Sequence, residues 1–213
     1  MCRSQVVDTK YPAVDIKQDN IMVKITRPSV IDEYLKFHAL SLGEYNFDSR
    51  EDLLNVHVVL GDWGSDSWET KHLSELIQPT LLRAPEVILQ APWGKEVDIW
   101  NLGALLSELV DAVFMFNGRA QATGGVYLTK HHIEEMEVLI GPFPAGLIKD
   151  GNPEIVQQLF DADYRVRDPT ERPPVKLEMW IEYLEGEELA RIMSMLRAML
   201  TIDPKQRPTG AVE

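Results

Sequence analysis

Between Val97 and Phe114 runs a stretch that is apolar on nearly every side of a helix. Ile99, Trp100, Leu102, Leu105, Leu106, Leu109, Val110, Val113 and Phe114 cover almost the whole circumference at helical spacing. A helix of that kind has no face to offer water, so it belongs in the middle of a domain with other elements packed round it. It does not read as a membrane span. The longest apolar region, Leu102 to Phe116, contains Glu108 and Asp111 and falls short of the roughly 20 residues a bilayer requires. The 213 residues suit one domain round such a rod, or at most two small ones.

Other segments supply the wrapping. Lys130 to Ile140 has the pattern of a shorter amphipathic helix closed by Gly141 and Pro142. Asn152 can cap a helix running through Phe160, with Pro153 in the favoured first turn. Leu189, Ile192, Met193, Leu196, Met199 and Leu200 form one apolar stripe, stopped by Pro204 and Pro208. Strands are few and lie toward the amino end. Asp15 to Val23 passes from a polar loop into a short apolar strand, and Val56 to Leu60 is a β-branched run ending at Gly61. Residues 24–55 show no sustained period and read as an irregular insertion. Pro79 and Pro85 keep the second half of the turn-rich segment after Asp62 from forming a long helix. The fold class expected is mainly α with a few short β-strands.

Asp15, Lys17 and Asn20 stand in a D-x-K-x-x-N pattern directly ahead of the first strand. Phosphoryl transfer uses such a set: a carboxylate to accept the proton of the attacking hydroxyl, an ammonium near the migrating phosphoryl, and an amide oxygen for a metal ion. Three residues alone recur by chance in roughly a few per cent of chains of this length, so the pattern needs company. The company is present and in order. Asp62-Trp63-Gly64 follows the second strand, where a carboxylate can serve as a hard oxygen donor to Mg²⁺. Ala84-Pro85-Glu86 comes next, then Asp98-Ile99-Trp100 with Gly103 at the head of the apolar helix, and finally Arg207 in Asp-Pro-Lys-Gln-Arg-Pro.

These motifs, spanning Asp15 to Arg207, resemble the C-terminal lobe of a eukaryotic-type protein kinase. The phrases LLRAPEVILQAPWGKEVDIWNLG and HHIEEMEVLIGPFP are similar to the serine/threonine kinases specific for serine/arginine-rich proteins, in the branch common in fungi. The resemblance implies that Asp15 is the catalytic base, Lys17 the lysine facing the phosphates, and Asn20 and Asp62 the Mg²⁺ ligands, with ATP as phosphoryl donor. It further implies a buried Glu86–Arg207 ion pair and a bracing role for Asp98 beneath the catalytic loop. The implied partner is a protein substrate, basic or Arg/Ser-rich. The formal charge of −13 speaks against a nucleic-acid surface, which needs clustered Lys and Arg. Cys2 is the sole cysteine, so no internal disulfide forms and a cytosolic or nuclear setting is expected; the first residues lack the apolar core of a signal peptide. Nothing in the pattern bears on oligomeric state.

Departures from the family pattern are equally specific. Ala13-Val14 stands where a His-Arg pair usually precedes the base, which removes a cation that grips a phosphorylated activation loop. Trp63 replaces the usual Phe, and Pro79 sits where many such kinases carry a threonine that bridges base and lysine. The fourteen residues ahead of Asp15 hold no glycine-rich loop and no strand lysine. The expectation is therefore a partial kinase domain over 15–213 with the N-terminal lobe absent, residues 1–14 being a remnant of the helix that leads into the catalytic loop. Such a chain would be inactive or weak alone; the other reading is a non-catalytic module that binds partners through this lobe. Glu134, Glu135 and Glu137 are either a docking face for arginine-rich substrates or, as the plainer expectation, a solvated helix face. His131 and His132 are expected at the surface, and Trp93, Trp100 and Trp180 in the core.

Overall fold

The computed structural model describes residues 16–23, 57–62, 67, 72, 74–111, 114–119, 124–170, 176–181 and 184–208. The chain divides into two compact units, one of Met1–Gln18 with Trp63–Glu213 and the other of Asp19–Asp62. The expected insertion at 24–55 lies outside the described residues, as do Asp15, Trp63 and Gly64.

The smaller unit holds a two-stranded antiparallel sheet. β1 (Ile21–Val23) pairs with β2 (Val58–Leu60) in the register Ile21↔Leu60, Met22↔Val59, Val23↔Val58. Short β-branched runs favour a pleated ladder, and both were legible as strands.

The larger unit is helical: α1 (Pro85–Ile88), α2 (Glu96–Asp111), α3 (Thr129–Leu139), α4 (Ala145–Asp150), α5 (Pro153–Leu159) and α6 (Gly186–Met199). Pro85 opens α1 in the first-turn position, where its missing N–H costs nothing. Asn152 caps α5 as expected, its Oδ1 accepting the N–H of Glu154 at 2.9 Å. α6 buries Met193, Leu196 and Met199, with Leu200 just past its end, the stripe read from the sequence. It crosses α2 closely. A Cβ placed on Gly103 would stand 3.0 Å from Met199 Cβ and 3.2 Å from the Leu200 side chain, so a larger residue there would push these neighbours aside by a few tenths of an ångström. Among the described residues, no helix is long and apolar enough to cross a membrane.

α2 lies at the centre of this unit, against α6, the turn Thr80–Leu82 and the turn Pro204–Gln206. Its orientation differs from the all-round apolar rod expected. Val97, Trp100, Ala104 and Leu105 are fully buried, but so are Asn101 and Ser107, while Leu102 is 37% and Leu109 51% exposed. Phe114 lies beyond the helix and is exposed. Polar side chains occupy inner positions because they find hydrogen-bond partners there, which offsets the cost of their burial.

The histidines of α3 also depart from expectation. Both are buried, not superficial. His131 is tied to Glu134 one turn on, Nδ1 to carboxylate at 3.0 Å. His132 is wedged between Phe116, ring centroids 5.3 Å apart, and Tyr127, whose hydroxyl lies 3.1 Å from His132 Nδ1. Neighbouring helical residues do diverge, but α3 is covered on more than one side. Trp93 and Trp100 are buried as expected, Trp100 stacking on Phe116 at 5.8 Å; the Trp180 side chain lies outside the described residues.

Burial, helped by the Arg83 guanidinium, lowers the pKa of His132 to about 3. The sign follows directly. Below about pH 6.5 the unfolded chain takes up a proton at His132 that the folded chain refuses until about pH 3, so stability is lost as pH falls through that window. The loss is about 1.4 kcal/mol per pH unit, or about 2 kcal/mol between pH 6.5 and 5. Urea unfolding at pH 7 and pH 5 checks this. His132→Gln is expected to remove most of that pH-dependent loss, and an unchanged slope in the variant would contradict the assignment.

Candidate active site

The antiparallel register decides where two of the expected metal ligands emerge. Asn20 immediately precedes β1 and Asp62 follows β2 by two residues, so both leave the same end of the ladder. The ladder is extended one step by the Gly61 N–H donating to the Asn20 carbonyl at 2.8 Å. A Cβ on Gly61 would fall 1.9 Å from Met22 Cε, the far end of an exposed and flexible side chain, and 3.8 Å from the Asn20 carbonyl. Asp62 then takes φ +55°, a left-handed conformation that Asp tolerates better than most residues, and turns the chain out of the ladder. Asn20 is buried and Asp62 exposed. An amide oxygen and a carboxylate are hard donors of the kind Mg²⁺ takes, so the pair fits that ion.

In the larger unit, the segment Ile16–Gln18 is held by α2. Asn101 Nδ2 donates to the Ile16 carbonyl at 2.7 Å, and Gln18 Nε2 donates to Glu108 Oε2 at 2.9 Å. Burial holds the Glu108 carboxyl above its usual range, an effect the bond from Gln18 only partly offsets. Lys17, half-buried, stands between these two attachments. Asp98 is half-buried in the first turn of α2, where a carboxylate also complements the helix dipole.

Glu86 and Arg207 meet as the sequence implied. Nη1 and Nη2 of Arg207 donate to Oε1 and Oε2 of Glu86 at 2.5 and 2.7 Å, with both side chains fully buried. The remaining N–H groups go to the carbonyls of Thr201 (2.7 Å), Glu96 (3.1 Å) and Ile202 (3.2 Å). The guanidinium also lies over Trp100, 5.0 Å from its ring centroid. All five guanidinium donors are therefore used. The pair fixes α1 and the Pro204–Gln206 turn to the head of α2.

Several functional-site neighbours were not singled out from the sequence. Gln78, at φ +67°, donates through Nε2 to the Val97 carbonyl (2.8 Å) and accepts the Ala84 N–H at Oε1 (2.8 Å), joining the segment ahead of α1 to α2. Arg83 donates to the carbonyls of Ile77 and Gln78 at 3.1 and 3.2 Å. The polar Asn101 and Glu108, seven apart on a helix rich in apolar residues, were the available signal. The acidic group of α3 also resolves differently from a solvated face. Glu134 is buried and accepts from His131 and from the Thr170 N–H (3.1 Å); burial works to raise its carboxyl, but these bonds outweigh it and hold it low. Glu135 accepts the N–H groups of Asn117 and Gly118, each at 2.9 Å. Two of the three carboxylates are thus spent on internal structure.

The buried Glu86–Arg207 pair at the central helix and, in the smaller unit, the ladder end with Asn20 and Asp62 follow the order of motifs read from the sequence. The family model described as "Protein kinase domain" matches residues 13–212, and the chain belongs to that family. Within it, the chain resembles serine/threonine and dual specificity protein kinases. It is 37% identical over 134 residues to a serine/threonine protein kinase of Aspergillus fumigatus, covering 63% of this chain and 33% of that protein. It is 30% identical over 172 residues to the serine/threonine-protein kinase SKY1 of Saccharomyces cerevisiae (76% and 21%), and 27% identical over 209 residues to the human dual specificity protein kinase CLK4 (94% and 38%). The chain thus spans about a third or less of the length of the first two relatives. The crystal structure titled PF14_0431, kinase domain, superposes with a TM-score of 0.64 at 19% identity, covering 93% of this chain and 56% of that one; at that identity it speaks for the fold.

Proposed function

We propose that this chain is the substrate-side part of a serine/threonine protein kinase that transfers the γ-phosphoryl group of ATP to a Ser or Thr hydroxyl of a basic, Arg/Ser-rich protein. The observation that carries the proposal is the common end of the β1–β2 ladder from which Asn20 and Asp62 emerge. Mg²⁺ held there would neutralise charge on the phosphates. Asp15 accepts the proton of the attacking hydroxyl as the new P–O bond forms and the bond from the γ-phosphorus to its bridging oxygen breaks. Lys17 balances charge on the migrating group, and the anchored Ile16–Gln18 segment fixes where Lys17 stands. The formal charge of −13 supports a basic substrate through long-range attraction.

The test is labelled-ATP transfer by the longest natural polypeptide that carries this sequence, with Mg²⁺ and an Arg-Ser repeat peptide. Labelled serine is expected, with much weaker labelling when Glu replaces Arg in the peptide, since like charges oppose docking. Equal labelling of the two peptides would remove the Arg/Ser preference. No label above that of an Asp15→Asn variant would remove the kinase reading in favour of a non-catalytic binding module.

A further inference from the structure

Asn101 and Glu108 sit seven residues apart in α2, which places them on one face two turns apart, about 10 Å along the axis. Both are buried, at 0% and 8% exposure. Their immediate successors, Leu102 and Leu109, are 37% and 51% exposed. The amide and the carboxylate share the buried side of the helix with Val97, Trp100, Ala104 and Leu105, while Leu102 and Leu109 are left outside. Such a local conflict with hydrophobic patterning is characteristic of positions that serve something besides packing.

What they serve is the short segment Ile16–Gln18. Asn101 Nδ2 takes the Ile16 carbonyl at 2.7 Å, and Glu108 Oε2 takes the Gln18 side-chain amide at 2.9 Å. One contact grips main chain and the other a side chain, on either side of Lys17. These contacts join residues 85 and 90 positions apart, so they are tertiary attachments rather than local turn chemistry. Asn101 is itself held within reach of Gln78, whose Nε2 lies 3.4 Å from Asn101 Oδ1.

We propose that Asn101 and Glu108 are positioning residues, a two-point clamp that holds Ile16–Gln18 in one conformation and so sets where Lys17 stands. The proposal deepens the kinase reading and rests on it for its catalytic consequence. The clamp acts through hydrogen bonds, so shape alone cannot replace it. Asn101→Leu keeps the volume and loses the donor. Glu108→Leu loses the acceptor, and Glu108→Gln keeps one in the amide oxygen.

The experiment uses the longest natural polypeptide that carries this sequence and reads kcat, KM and amide hydrogen exchange together. Misplacement of a reacting group by about 1 Å costs roughly 10²-fold in rate. Asn101→Leu and Glu108→Leu are therefore expected to lower kcat by about 10- to 100-fold with KM changed little. Exchange of the Lys17–Asn20 amides is expected to accelerate by a comparable factor while that of α6 stays unchanged, and Glu108→Gln should restore both readouts to near the parent. Unchanged exchange at Lys17–Asn20 would overturn the clamp, as would a Glu108→Gln variant as impaired as Glu108→Leu, or exchange that accelerates equally through α6. If exchange responds as expected but the parent protein transfers no phosphate, the clamp stands and the kinase reading fails.

Discussion

Arg207→Met is expected to destabilise the larger unit by about 3–5 kcal/mol, because it leaves the fully buried Glu86 carboxylate without its counter-charge. The same change strands three carbonyl acceptors, on Glu96, Thr201 and Ile202. Arg207→Lys is expected to be nearly as harmful. A lysine ammonium has three donors and no planar fork, so it cannot satisfy a bidentate carboxylate and three carbonyls together. Total stabilities of single domains run to about 5–15 kcal/mol, so a loss of this size leaves a large unfolded fraction. Replacing both partners, Glu86→Leu with Arg207→Met, is expected to recover much of the stability, since a buried pair exchanged for apolar groups of similar size is often neutral. Urea unfolding of the four proteins forms a double-mutant cycle. A single variant costing under about 1 kcal/mol would mean that the pair is solvated or compensated elsewhere.

The second large effect is on chemistry. Asp15→Asn retains shape and removes the proposed proton acceptor, and a positioned general base contributes about 10²- to 10⁴-fold. kcat for peptide phosphorylation is therefore expected to fall by that factor while KM for ATP and for peptide stay close to the parent. Asp62→Ala is expected to act differently, weakening productive MgATP binding as well as turnover, because it removes a carboxylate from the proposed metal set. Steady-state kinetics at several Mg²⁺ concentrations separates the two. Full turnover by Asp15→Asn would show that another group accepts the proton.

Much of this architecture was legible because local rules and tertiary structure agree. The Asn152–Pro153 start of α5, the Gly141 stop after α3 and the apolar stripe of α6 each follow from chemistry within a few residues. Motif order likewise located Glu86 and Arg207, which meet across 121 positions of chain. What escaped was decided by partners distant in sequence. Periodicity announced a helix at 97–114, but the partners that receive Asn101 and Glu108 on its inner side, Ile16 and Gln18, lie in no window around Asn101. His131 and His132, adjacent on a helix and so pointing in different directions, were expected at the surface, whereas Glu134 and Tyr127 receive them inside. Gln78 was invisible for a related reason: its value lies in bridging Ala84 and Val97 from a left-handed backbone position, and no composition rule marks that.

The account depends most on the claim that the ladder end carrying Asn20 and Asp62 binds the nucleotide-associated cation. Paramagnetic relaxation by Mn²⁺ in the presence of ADP tests that claim without requiring turnover. Selective broadening of the Asn20, Gly61 and Asp62 amide resonances is expected, and its loss in Asp62→Ala. Broadening centred elsewhere, or persisting undiminished in that variant, would contradict it.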